Sequence, residues 1–284
     1  MKVTAVCIGI ALAVTPQFAN GQSWQTLSTS RQVRGESQLL VEVEFASGTL
    51  RLRPGRSESL FRIATRYDED WFDFATDYDP RAASLRVKLA PEDLDDIELD
   101  DDSPQYLDLE LSPTVPVSLD LKFGAAKSTI DLGGLALHRA DIKTGASEAH
   151  IGFERSNRVR CEELSVAVGA AELIVTGIGN ARCQRVKLAG GAGDVTLDFT
   201  GDWDPGTHTE AEVTMGFGGL TLRIPEDVGV ELTMNRLFAS VETTGFEKRG
   251  SHLVSTNYDD ARATVKLHVR AILGDVSVDW LAAR

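Results

Sequence analysis

The chain has 284 residues, with 29 Lys and Arg against 43 Asp and Glu, for a net charge of −14. Its 42% hydrophobic content and its 25 Gly and 9 Pro exclude a disordered or low-complexity chain. A chain of this length buries a core without disulfide staples, and its acidity argues against nucleic acid and anionic membrane surfaces, which need clustered positive charge.

Met1-Lys2 gives a short positive start, residues 3–14 are apolar, and Pro16 ends the run. Ala19 and Gly21 place small residues ahead of a cut before Gln22, the pattern of a secretory signal peptide over residues 1–21. The run is too short to span a bilayer, and no later run is long enough. The expected product is exported to the periplasm or the exterior and is not integral to the membrane. Cys7 leaves with the leader.

Residues 22–113 read as an N-terminal β region. A polar lead-in over 22–37 is followed by the alternating stretch LLVEVEFASGTLRLRP from Leu39. Strand-like runs follow at Leu60–Tyr67, Trp71–Tyr78 and Leu85–Leu89. Residues 91–104 carry eight acidic and no basic side chains, which marks a solvated linker.

Residues 114–224 hold an internal repeat. Each unit is an alternating apolar strand, a Gly-Ala type corner and a second alternating strand, as in VSLDLKFGAAKSTIDL from Val117. The corners fall at Gly124, Gly145, Gly169, Gly191 and Gly216, spaced by 21, 24, 22 and 25 residues. A period in the twenties with strand alternation marks stacked repeats. Glycine is expected at the corner because it accepts a positive φ. Lys127, Glu148, Glu172, Asp194 and Asp275 occupy one equivalent position just after the corner. Residues 225–284 read as an irregular turn plus a C-terminal capping repeat, VKLHVRAILGDVSVDW from Val265. The pattern predicts an all-β, stacked β-solenoid, because recurring positions such as Leu137, Cys161 and Cys183 align. A Gly-containing corner also reads as a hairpin, so an antiparallel meander is the alternative.

LLVEVEFASGTLRLRPG, VGAAELIVTGIGNARCQRVKLAGGAGDVTLDFTGDW and ILGDVSVDW resemble the opening, central and closing units of the bacterial toast-rack family. That family is similar to the β-domains of proteins that respond to cell-wall-active antibiotics, and to adhesin-like proteins of the same repeat type. The resemblance implies an exported repetitive β protein, a toast-rack or β-helix-like stack, with no catalytic residues to carry over.

The search for chemistry yields no catalytic, cofactor-binding or metal-ligating set. There is no G-x-S-x-G, H-E-x-x-H or C-x-x-C. Gly124-Ala-Ala-Lys127-Ser128 lacks the first glycine of a phosphate loop and precedes a strand. His138, His150, His208, His252 and His268 are scattered. Arg160-Cys161 and Arg182-Cys183 lie one period apart. Cys161 and Cys183 stand either as a disulfide of an exported protein or as two buried thiols in an apolar column. The acidic side chains Glu92, Asp93, Asp95, Asp96, Glu98, Asp100, Asp101 and Asp102 offer oxygen ligands for calcium but lack a glycine-turned loop. Trp71, with Asp68, Asp70, Asp73 and Asp77 nearby, is a candidate sugar-stacking platform, whereas Phe72, Phe74 and Tyr78 share one face and read as core. The expectation is a non-enzymatic structural or interaction module of the bacterial cell envelope, in stress response or adhesion, without cofactors. Its partner is an envelope protein or polysaccharide; the alternative is a polysaccharide-binding or polysaccharide-cleaving solenoid.

Overall fold

The computed structural model describes residues 23–91, 104–241 and 244–282. The expected leader and the acidic run from Glu92 to Asp102 lie outside the described residues. The N-terminal part contains β1 (Trp24–Gln32), β2 (Leu39–Pro54), β3 (Ser59–Asp68), β4 (Phe72–Asp79), β5 (Ser84–Pro91) and β6 (Tyr106–Leu111). Next come β7 (Pro116–Asp131), β8 (Ala136–Gly152), β9 (Cys161–Thr176) and a four-residue helix, α1 (Ile178–Ala181). They are followed by β10 (Cys183–Ala192), β11 (Val195–Asp198) and β12 (His208–Pro225). The chain continues through β13 (Val228–Val241), β14 (Phe246–Arg249), β15 (His252–Ser255) and β16 (Ala263–Leu281).

The repeats stack in parallel and in register. β2, β7, β8, β9, β10, β12, β16 and β13 are neighbours in that order, and every one of these pairings is parallel. The meander is therefore excluded. Each rung is one long strand bent at the corner, or two short ones where β10 and β11 share a rung. Alternation changes parity at the bend. In β7, Val117, Leu119, Leu121 and Phe123 are buried before the corner, and Ala126, Ser128 and Ile130 after it. β12 switches in the same way, from Ala211, Val213 and Met215 to Leu220, Leu222 and Ile224. The bend absorbs one residue, so both legs face the same core despite the two-residue period of a strand.

The segments that return from one rung to the next also bond across rungs. Leu132 donates its N–H to Gly152 O, Phe153 to Thr176 O, and Phe199 to Arg223 O. Asn157, almost fully buried, closes a two-bond clamp on the backbone of Leu137: Nδ2 donates to its carbonyl at 2.7 Å and Oδ1 accepts its N–H at 2.8 Å. Asn180 repeats the device one rung on, donating to Phe153 O and accepting the N–H of Asp202. Such clamps satisfy backbone groups that burial would otherwise leave costly.

The stack reaches further than residues 114–224, since β2 is already a full rung. Beyond β2 the two legs diverge: its first leg pairs β5 and then β4, and its second pairs β6, β3 and β1. The C-terminal unit does not cap. β16 lies between β12 and β13, and the end of the stack is β13 with the antiparallel β15 and β14 beside it. The reason is that β16 is apolar on its inner side along both legs, from Val265 to Val278, which suits a central rung.

The corner glycines serve a purpose other than positive φ. Gly124, Gly145, Gly169, Gly191 and Gly216 are absent from the residues at positive φ. A Cβ on Gly124 would stand 2.3 Å from Ala46 O, and on Gly216 2.3 Å from Gly191 O. These glycines let the backbone of one corner rest on the next. Positive φ falls two residues later, at Gly193, Gly218 and Gly274, where a Cβ on Gly218 would meet Gly193 O at 1.9 Å. Gly145 has nothing closer than 3.8 Å. Gly218→Ala is expected to lower unfolding free energy by more than about 2 kcal/mol, and Gly145→Ala to change it by less than about 0.5 kcal/mol. Chemical denaturation of both variants checks the contrast.

Candidate functional site

Four features stand out once the rungs are in register. The first is a row of alternating charge on the outer face of the first leg. Arg139 on β8 faces Glu163 on β9, which faces Arg185 on β10, Glu210 on β12, Lys266 on β16 and Glu231 on β13. Opposite charges directly across strands stabilise this register, and a one-residue slip would bring the row against the apolar face. Glu163 is the saturated member. It lies 2.9 Å from Lys187 Nζ, and 3.2 Å from guanidinium nitrogens of both Arg139 and Arg185. The hydrogen bond from Lys187 leads in holding its carboxyl below the ordinary 4.5, with further help from Arg185 and Arg139 and in spite of burial.

The second feature is the column Cys161 and Cys183, which face each other at the first position of β9 and β10. Their sulfurs are bonded in the structure, and their Cα atoms lie 4.2 Å apart. The pair sits where Arg182, in the left-handed region at φ 54, turns the chain out of α1. That separation is shorter than the ordinary spacing of neighbouring strands, so the rungs converge there. Leu137, in the aligned position of β8, is fully buried.

The third feature is an apolar corner. One column runs through Ala125, Ala146, Ala170 and Ala192, then changes to Phe217 on β12 and Leu273 on β16. Phe217 is 55% exposed, Leu273 47%, and the adjacent Ile272 48%. Ile272 takes the place that glycine holds in the corners of β7, β8, β9, β10 and β12.

The fourth is a cleft of about 780 Å³ where the returns meet the first legs of β10, β12 and β16. Arg160, Arg182, Arg185, Lys266, Asp204 and Glu210 give it its charge, and Trp203, His208 and Tyr258 line it too. Trp203 is fixed by Nε1 donating to Phe199 O at 2.8 Å.

The remaining sequence candidates stay apart. Gly124 to Ser128 forms the corner of β7, His150 bonds Thr176 Oγ1, His252 bonds Thr233, and His138 reaches Glu162. His208 alone of the five lines the cleft, bonded through Nδ1 to Thr264 Oγ1. Among the described residues no three of His, Cys, Asp and Glu cluster so as to hold a metal ion. Trp71 is half exposed beside β4, while Phe72 is buried and Phe74 and Tyr78 pack against the core. The cleft and the apolar corner were not anticipated from the sequence. Each depends on which residues the stacking brings side by side.

The model of the N-terminal domain of toast_rack matches residues 19–176. The chain belongs to the toast-rack family. Residues 178–278 of this toast-rack protein match a second model, the C-terminal region of LiaF, described as a cell wall-active antibiotics response protein. No curated protein matches it. Among solved structures it is similar to a "putative cell adhesion protein" of Clostridium sporogenes, at 13% identity and a TM-score of 0.48, over 90% of this chain and 100% of that one. It is also similar to a "putative adhesin" of Parabacteroides merdae, at 11% identity and a TM-score of 0.38, over 92% and 97% of the two chains. Both are distant likenesses. No helix among the described residues is long and apolar enough to cross a membrane.

Two outcomes follow for the toast-rack stack. Replacing Glu163 by Gln is expected to cost about 1–2 kcal/mol, since three cations lose their shared carboxylate. Because the folded carboxyl is depressed, its contribution is present above pH 4.5 and lost as pH falls through the folded value. Stability curves of the two proteins should therefore converge in acid. Cys161→Ala with Cys183→Ala is expected to lower stability by about 2–4 kcal/mol under oxidising conditions, the range for closing a loop of this size. Urea titration with and without reductant checks it, the reduced parent protein matching the variant.

Proposed function

We propose that this protein is an exported, non-enzymatic interaction module of the bacterial cell envelope. It meets a protein partner through the apolar corner of its C-terminal rungs. The corner carries the reading. Phe217, Ile272 and Leu273 are about half exposed on adjacent rungs, while the same column is alanine over four preceding rungs. Large apolar side chains gathered at one exposed place mark a protein contact more than a polysaccharide one, which stacking rings and polar groups would serve. The leader-like residues 1–21 and the second model's connection with cell wall-active antibiotics support an envelope setting. Of the two carboxylates that line the cleft, Asp204 is already bonded by Arg182 through two nitrogens, which counts against its use as one of the paired carboxylates of a glycan-cleaving site.

Export is tested by the N-terminal mass of the protein recovered from the secreted fraction, which should begin at Gln22. The corner is tested by binding of the labelled protein to isolated envelopes of the bacterium that makes it. Phe217→Ser with Leu273→Ser should keep the parent's thermal midpoint and lose at least about tenfold in apparent affinity. Equal binding by the variant overturns the role of the corner, and an uncut N-terminus overturns export.

A further inference from the structure

The cleft at β10, β12 and β16 carries a second reading that does not depend on the apolar corner. We infer that it binds a linear oligoanion, a chain of phosphate or carboxylate groups, laid across the rungs. Its volume of about 780 Å³ is that of a small-molecule site.

The charge row explains why the cleft attracts anions. On the β8 to β10 side the row is closed, because Arg139, Arg185 and Lys187 all reach Glu163 and Arg185 also reaches Glu162. On the β12 to β16 side the row is open. Glu210 stands between Arg185 and Lys266 in register, yet forms no ion pair with either. Arg160 and Lys266 are exposed and make no hydrogen bond or ion pair with a described residue. Glu210 is open too, so the sign is set by the whole lining: in a chain with fourteen excess negative charges, Arg160, Arg182, Arg185 and Lys266 against only Asp204 and Glu210 are a local reversal of sign.

The cleft is also built rather than incidental. Arg182 holds a left-handed backbone conformation that a non-glycine residue takes only when its surroundings impose it. Its guanidinium is fixed on Asp204 and on Asn157 O. Thr209 Oγ1 donates to Cys183 O at 3.0 Å and ties the first leg of β12 to the floor.

The spacing selects the ligand. Arg160 precedes β9, and Lys266 lies on β16, three strands away in the order β9, β10, β12, β16. At the strand spacing that is about 14 Å across the sheet, and Lys266 lies a further three residues along its strand from the position in register with Arg160, so a single phosphate reaches one cation at a time and a chain of anionic groups reaches both. Guanidinium and ammonium groups bind phosphate and carboxylate alike, so the chemistry shared by both polymers is what the cleft recognises.

Calorimetric titration of the full exported chain tests this with four probes: a short-chain polyphosphate, an oligogalacturonate of similar length, orthophosphate and maltotriose. One or both oligoanions should bind saturably at one site, more weakly as salt is raised, while orthophosphate and neutral maltotriose do not. The tighter of the two oligoanions identifies phosphate or carboxylate as the natural group. Arg160→Ala with Lys266→Ala should raise the Kd by about tenfold or more at an unchanged thermal midpoint, because two charge-assisted contacts are lost. Arg51→Ala, on β2 and far along the stack, should leave the Kd unchanged. Absence of saturable binding by both oligoanions, equal binding by the double variant, or equal binding of maltotriose each overturns the proposal.

Discussion

Everything in this molecule depends on parallel rungs held in strict register. A side chain in such a stack sees its own equivalent about 4.8 Å above and below, so each column must tolerate its own repetition. Apolar residues do so in the core, where Val, Leu and Ile recur from β2 to β13. At the corner the tolerance is harder to meet, because backbone lies directly on backbone. Gly191 resting on Gly169, and Gly216 on Gly191, leave no room for a Cβ. The same geometry explains the parity change at the bend, without which one leg would turn its apolar face to water.

Much of this was legible in the amino-acid sequence. The period of the corners and the alternation of the legs point to a stack, and both the fold and the aligned column of Leu137, Cys161 and Cys183 appear in the structure. Glycine was a subtler matter. Its presence at the corner was plain, but whether it serves positive φ or close approach depends on where the neighbouring rung's carbonyl lies. The charge row could have been found by counting six residues back from Gly145, Gly169, Gly191, Gly216 and Ile272, which lands on Arg139, Glu163, Arg185, Glu210 and Lys266. The cleft could not, because it arises from the course of the return between Phe199 and Thr207. Nor could the place of β16, since strand order is a long-range choice that local alternation does not encode.

The two family models meet near Thr176, which divides the chain at no structural seam. β9 belongs to one matched segment and β10 to the other, yet they are neighbouring rungs of one sheet. The bond between Cys161 and Cys183 crosses this boundary, as do the contacts of Glu163 with Arg185 and Lys187. The two segments share one continuous core, and neither shields its terminal rung without the other. The cleft straddles the same boundary, since Arg160 comes from the first segment and the rest of its lining from the second.

The position of β16 bears on how the molecule is made. Through β12, each new rung docks on its predecessor, so the stack can grow as the chain is delivered. β13 breaks that order, because its parallel neighbour within the stack is a strand 35 residues later in the sequence, starting at Ala263 against Val228. Until residue 281 is available, the C-terminal face of β12 and one flank of β13 remain open edges at the same time, the condition under which copies of a chain pair with one another. Assembly of the C-terminal end therefore requires β16 to enter between two strands that precede it in the chain.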